Sequence, residues 1–274
     1  MSKAVQQVVV TGGFDDMRSK HIRFLEEAAK LGQLTVLLWN DNLLLETIGN
    51  EPKFTETERE YFLRAIRFVT DVKRIRGSDE LKSVERVTGF KPDVWVVGLD
   101  ANAMEGECAI SQDIKLREIS ESDLRGFPVH QPSPVAPGTK QVVVTGCYDW
   151  LHSGHVRFFE EVSGYGELHV VVGNDANVRM LKGPRNPMHS EDERRYVVGA
   201  MRFVKQAWVS SGQGWLDAEP EIARIKPDIY AVNEDGDKGG KREFCEQRGI
   251  EYLVLKRTPA PGLPKRSSTE LRGY

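Results

Sequence analysis

His152 and His155 stand three positions apart in the run Gly146-Cys147-Tyr148-Asp149-Trp150-Leu151-His152-Ser153-Gly154-His155. The apolar stretch Gln141-Val142-Val143-Val144-Thr145 before it reads as a buried strand. After it, Val156, Phe158, Phe159 and Val162 recur at helical spacing. The order is strand, tight turn, helix, with two imidazoles where the helix begins. Backbone N–H groups at a helix start lack intrahelical partners and carry partial positive charge, so they favour an anion such as phosphate. Gly154 has no side chain and lets a ligand approach the backbone. Two imidazoles beside such a site can donate hydrogen bonds to phosphate oxygens as charge builds during phosphoryl chemistry. A lone histidine at a helix start is ordinary; the spacing His-x-Gly-His in this setting favours chemistry.

Those histidines need a scaffold, and the chain is long enough for two domains at 274 residues. Hydrophobic residues make up 39% and charged residues 29%, a globular balance. The net charge of −3 gives no broad basic footprint, which argues against nucleic acid as a partner. Cys108, Cys147 and Cys245 are too few and too scattered for a disulfide framework or a zinc site. No signal peptide and no membrane-length apolar run is evident, so the expectation is a cytoplasmic chain without a membrane partner.

The scaffold is written twice. Gln7-Val8-Val9-Val10-Thr11-Gly12-Gly13-Phe14-Asp15 returns as Gln141-Val142-Val143-Val144-Thr145-Gly146-Cys147-Tyr148-Asp149, 134 positions later. His21-Ile22-Arg23-Phe24 lies opposite His155-Val156-Arg157-Phe158, and Asn40-Asp41 opposite Asn174-Asp175. After a one-residue slip, Arg67-Phe68-Val69 matches Arg202-Phe203-Val204, and Lys91-Pro92-Asp93 matches Lys226-Pro227-Asp228. The joint between the copies holds Pro128, Pro132, Pro134 and Pro137 and reads as a semi-rigid extended linker. The expected division is residues 1–126, a linker 127–139, and residues 140–274.

Within each copy strands alternate with helices. In the second, strands are expected over 168–173, 207–210, 229–232 and 251–255, a helix over 191–203, and a last helix from Thr269. That alternation predicts an α/β chain of two tandem Rossmann-like, doubly wound parallel-sheet domains arising from an internal duplication. Ligands of such sheets bind at the carboxyl ends of the strands.

Further candidates fall in the second copy. Lys182-Gly183 follows a short helical segment, and an ammonium there can neutralise phosphate charge, with Arg185 a weaker candidate. Arg194 and Arg202, eight residues apart, would share one face of the predicted helix. Ser267-Ser268-Thr269 suits both an N-cap and phosphate binding at the last helix. Asn233-Glu234-Asp235-Gly236-Asp237 follows a predicted strand; its three carboxylates suggest a metal site, but with no His or Cys beside them a solvated turn is an equal reading.

The run Gly146–His155 resembles the signature of the nucleotidyltransferase superfamily that carries His-x-Gly-His, and the likeness extends to the end of the chain. The resemblance implies transfer of a nucleoside monophosphate from CTP or ATP to a phosphorylated small molecule, with release of pyrophosphate. It implies that His152, His155 and Lys182 are catalytic. It also implies that Gly146, Tyr148, Gly154, Arg202, Asn233, Arg257, Arg266, Ser268 and Thr269 bind nucleotide. A proline-rich insertion separates Arg257-Thr258 from Lys265-Arg266, which leaves open which arginine meets phosphate. No protein metal cage is expected; Mg²⁺ would arrive on the triphosphate. The tandem layout is similar to phosphoethanolamine cytidylyltransferases and slightly favours CMP transfer. The run Asp175–Gly183 is similar to sugar-phosphate adenylyltransferases of heptose pathways. A non-catalytic nucleotide sensor is the rival class. Single-unit relatives commonly dimerise, so the two domains are expected to form a pseudo-dimer within one chain. The first copy is expected to have lost the chemistry: Arg18, Lys20 and Ile48 stand where the second has His152, Gly154 and Lys182.

Overall fold

The computed structural model describes residues 5–98, 103–132 and 134–271. The chain divides into two compact units, Met1–Gly126 and Phe127–Tyr274.

In the first unit the strands are β1 (Gln7–Gly12), β2 (Gln33–Trp39), β3 (Asp71–Ile75), β4 (Val94–Val97) and β5 (Lys115–Glu118). Its helices are α1 (Ser19–Ala29), α2 (Asp41–Ile48), α3 (Glu56–Ala65), α4 (Ser78–Leu81), α5 (Val84–Thr88) and α6 (Ala103–Ser111). The second unit has β6 (Gln141–Gly146), β7 (Glu167–Val172), β8 (Val204–Val209), β9 (Ile229–Asn233) and β10 (Glu251–Leu255). Its helices are α7 (Ser153–Ser163), α8 (Asp175–Lys182), α9 (Glu191–Gly199), α10 (Glu219–Ile225), α11 (Lys241–Arg248) and α12 (Ser268–Leu271), with a 3₁₀ turn over Glu234–Gly236.

Each unit is one parallel sheet. The order is β3-β2-β1-β4-β5 in the first and β10-β9-β6-β7-β8 in the second, the same winding read from opposite ends. The register repeats as well: Gln7 pairs Gln33 as Gln141 pairs Glu167, and Val9 pairs Trp95 as Val143 pairs Tyr230. The fold is therefore two tandem Rossmann-like α/β units. Val8–Val10 and Val142–Val144 are wholly buried because the central strand is covered on both faces, which explains why these strands read as unbroken apolar runs. The strand order reverses between β6 and β9, and a crevice opens there at the carboxyl ends.

Two expectations shift. The helix foreseen over 191–203 ends at Gly199, and β8 begins at Val204 so that it can pair with Leu168. Arg194 and Arg202 therefore do not share a helix face. The start of the proline-rich segment lies along α9, where the Phe127 ring packs on Tyr196 at 5.9 Å and the Phe127 carbonyl accepts from Arg195. Among the described residues no helix is long and apolar enough to cross a membrane.

Candidate functional site

A cleft of about 330 Å³ opens at the switch point of the second unit. His152 sits at the N-cap of α7, where its Nδ1 accepts the Gly154 N–H at 3.1 Å. An imidazole that accepts at Nδ1 carries its proton on Nε2 when neutral. Nε2 of His152 and Nδ1 of His155 are buried and have no hydrogen-bond partner among the described residues. The two rings stack at 4.0 Å, and Tyr148 meets His155 edge-on at 5.3 Å.

Burial, with the Arg257 and Arg266 charges, lowers the His152 pKa to about 4. Burial, the His152 ring, Arg257 and Lys182 hold His155 well below the ordinary imidazole value. Both rings are thus neutral at pH 7, and each carries one N–H. Since folding depresses the His152 value from 6.5, the unfolded chain takes up its proton first as pH falls. The associated stability is complete above about pH 6.5 and is lost as pH drops toward 4, up to roughly 3 kcal/mol. His152→Asn keeps an N-cap and removes this titration. Urea midpoints measured from pH 7 to 4.5 should fall less steeply for the variant than for the parent; parallel curves would refute the assignment.

Gly146 and Gly154 have close-range reasons. A Cβ on Gly146 would meet the Tyr148 ring at 2.7 Å, and Tyr148 itself takes a positive φ of 50° to fold back over that glycine. A Cβ on Gly154 would meet His152 Cε1 at 3.0 Å, so the glycine admits the imidazole as well as any ligand. Lys182, the last residue of α8, is exposed and lines the cleft, as do Asn233 at the end of β9 and Arg257. Ser268 also lines it and donates to the Trp150 carbonyl at 3.2 Å. Arg266 lines an adjoining recess with Arg257 and Gly154. The Thr269 side chain lies outside the described residues.

Arg257 bridges two loops. Its Nη1 meets Asp235 Oδ2 at 2.5 Å and its Nη2 donates to the Arg266 carbonyl at 2.7 Å. This closes the proline-rich insertion on itself, with Ala260 and Leu263 buried inside the loop. Arg257 thereby lies at the cleft wall, while the Arg266 backbone supports it.

Arg202 is not brought to the cleft. It lies exposed in the turn before β8, at the amino edge of the sheet. Arg194 is almost fully buried. Its guanidinium donates to the carbonyls of His189, Cys147 and Gly173 and to Asp175 Oδ1, the last three at 2.7 Å. Arg59 does the same in the first unit, toward Phe54, Gly13 and Asp41. Arg194 is therefore a brace that fixes the turn carrying Cys147.

Two further residues shape the site. Asp149 is buried and accepts the backbone N–H groups of Met188 and His189 at 2.9 Å, anchoring the loop after α8. Asp15 repeats this contact toward Lys53 and Phe54. Its recurrence in both copies was the available sequence signal. Lys241, at the start of α11, lines the cleft without any motif to announce it.

The geometry places two neutral imidazoles, a helix start and the cations Lys182, Lys241 and Arg257 around one cleft, an arrangement suited to stabilising phosphate charge. Comparison with known proteins agrees. The profile of the family described as cytidylyltransferase-like matches residues 143–273. The FAD synthase of Ferroglobus placidus is 38% identical over 120 residues, covering 43% of this chain and 75% of that protein. The FAD synthase of Methanocella paludicola is 32% identical over 135 residues, covering 48% of this chain and 93% of that protein. The bifunctional protein HldE of Pseudomonas fluorescens is 39% identical over 133 residues, 47% of this chain, which spans only 26% of that protein.

Proposed function

The chain belongs to the cytidylyltransferase-like family, and from that membership we propose that its second unit transfers a nucleoside monophosphate from a nucleoside triphosphate to a phosphorylated small molecule. The observation that carries this reading is the stacked imidazole pair at the start of α7. Each ring has a buried nitrogen without a hydrogen-bond partner among the described residues, beside Lys182 and Arg257.

In the proposed reaction an oxygen of the acceptor phosphate attacks the α-phosphorus in line. The new P–O bond forms as the bond to the β-phosphate bridging oxygen breaks, and pyrophosphate leaves. Such transfer rests on positioning and charge stabilisation more than on a covalent nucleophile. His152 donates from Nε2, and His155 donates from its protonated ring nitrogen, to oxygens that gain charge in the transition state. Lys182 and Arg257 hold phosphate charge, and the start of α12 with Ser268 receives the leaving end. Asp149 is engaged by Met188 and His189, and Asp235 by Arg257. A divalent cation, Mg²⁺ in this reading, would therefore be held mainly through triphosphate oxygens, where it neutralises charge.

For the donor we favour ATP, because FAD, the product named for two relatives, contains an adenylate. CTP is the second reading, supported by the tandem duplication. Mixing the chain with ATP or CTP and a panel of phosphomonoesters (FMN, sugar phosphates, phosphoethanolamine) and following pyrophosphate tests both. Release with none of them, by protein that binds nucleotide, would favour a sensor. Lys182→Ala should raise the nucleotide KM roughly 10-fold, because a charge partner of the ground state is lost. An unchanged KM would remove Lys182 from the phosphates.

A further inference from the structure

The phosphate end of the cleft is crowded with positive charge, and one cation stands apart from it. Arg257, Arg266 and Lys182 are the charges close enough to depress the imidazoles. Lys241 lines the same cleft from the other wall, that of β9 and α11, together with Val232, Asn233 and Gly236. Its side chain is half-buried, and its Nζ donates to the Gly236 carbonyl at 2.9 Å. That is its one hydrogen bond among the described residues. An ammonium has three protons, so two are left to face the cleft. The bond to Gly236 also removes much of the side chain's rotational freedom, which lowers the cost of using it to bind.

The nature of the ligand follows from what surrounds this ammonium. With α-phosphate at the imidazoles, the next group of a nucleotide is its ribose, a neutral diol. A diol is recognised by a fixed donor beside an amide, and Lys241 and Asn233 supply that pair, while the Gly236 carbonyl is taken up by the Lys238 N–H and by Lys241 Nζ. A second phosphate would instead call for clustered cations. Here the groups nearest in charge are Asp237, which attracts the ammonium, and Lys238, which opposes it. Asp237 is itself held by the Tyr252 hydroxyl at 2.9 Å.

We infer that Lys241 is a specificity-determining residue that binds the ribose hydroxyls of the nucleotide. This rests on the nucleotidyltransferase reading of the same cleft, but it does not depend on the base.

Calorimetry with the full chain, comparing Mg-ATP with Mg-2′,3′-dideoxyATP, tests it independently of any acceptor. The parent should bind ATP about 10–100-fold more tightly than the dideoxy analogue, the worth of a hydrogen bond to a charged group. Lys241→Met should bring the two affinities within about threefold, by weakening ATP and leaving the analogue where it was. Lys241→Arg, which keeps a donor and a charge, should retain part of the preference. Equal binding of both nucleotides by the parent overturns the inference. So does a loss in Lys241→Met that is the same for both, since a purely structural bond to Gly236 would act that way. If ATP binds with the expected preference but no acceptor releases pyrophosphate, the enzyme reading fails while the ribose contact stands.

Discussion

His152→Ala abolishes most of the nucleotidyl transfer, whereas His21→Ala leaves it nearly intact: this is the expected result if chemistry resides in the second unit alone. The two units share a sheet, a register and a buried arginine brace, so the difference lies in the groups at the cleft. In the first unit the donors are already engaged. Arg18 pairs with Asp16 at 2.8 Å, and Lys20 reaches Glu121 at 3.4 Å. His21 Nδ1 accepts the Arg18 backbone N–H at 3.0 Å, so its ring serves as part of a helix cap. Leu44 packs so closely on Gly13 that a Cβ there would lie 2.4 Å from it, whereas the second unit has Cys147 at that place. Ile48 stands where Lys182 provides charge. Glu121 lies in the run Ser120-Glu121-Ser122, which stands opposite Ser267-Ser268-Thr269, so together these differences remove donors, fill space and add a carboxylate where phosphate would lie. Calorimetry should accordingly give one nucleotide per chain. Two equivalent sites, or a large loss of activity from His21→Ala in folded protein, would refute the assignment. Because His152→Ala also removes a cap worth about 1 kcal/mol, His152→Asn is the companion variant: it keeps the cap and should be just as inactive.

His155→Ala should lower kcat by about 10²–10³ with little change in nucleotide affinity. That is the cost of removing one donor aimed at charge that develops in the transition state. The geometry makes the split between kcat and KM meaningful. His155 is neutral at working pH and therefore adds no ion pair to the ground state. Truncation leaves His152 held by the Gly154 N–H and Tyr148 packed on the Phe159 ring. Steady-state kinetics together with direct binding measurements decide the matter. A weaker nucleotide complex with unchanged kcat would move His155 to ground-state binding.

Much of this protein can be read from local sequence. The triple-valine runs are buried on both faces of a central strand, and no partner beyond the sheet is needed to recognise them. Asn174 and Ser190 announce the starts of α8 and α9 by capping them, since a cap involves residues only two or three apart. The duplication is visible because the same short patterns recur in register. His-x-Gly-His declares itself for the same reason: cap, glycine and both rings lie within one helical turn.

What the sequence leaves undecided depends on residues far apart in the chain. Arg194 and Arg202 look alike as helix-borne cations. Only the fold buries one against carbonyls as distant as Cys147, 47 positions away, and leaves the other at the opposite edge of the sheet. Arg257 meets Asp235 because β9 and β10 are adjacent strands, a pairing that strand periodicity does not encode. Lys241 has no motif; it reaches the cleft because the strand order reverses between β6 and β9 and aims the start of α11 at the same crevice as the start of α7. The sequence by itself determined the elements, their repetition and the two imidazoles, since those depend on contacts within a turn or two. The tertiary structure decided which cations brace and which line the cleft, because burial and long-range hydrogen bonding exist only once the sheet is assembled.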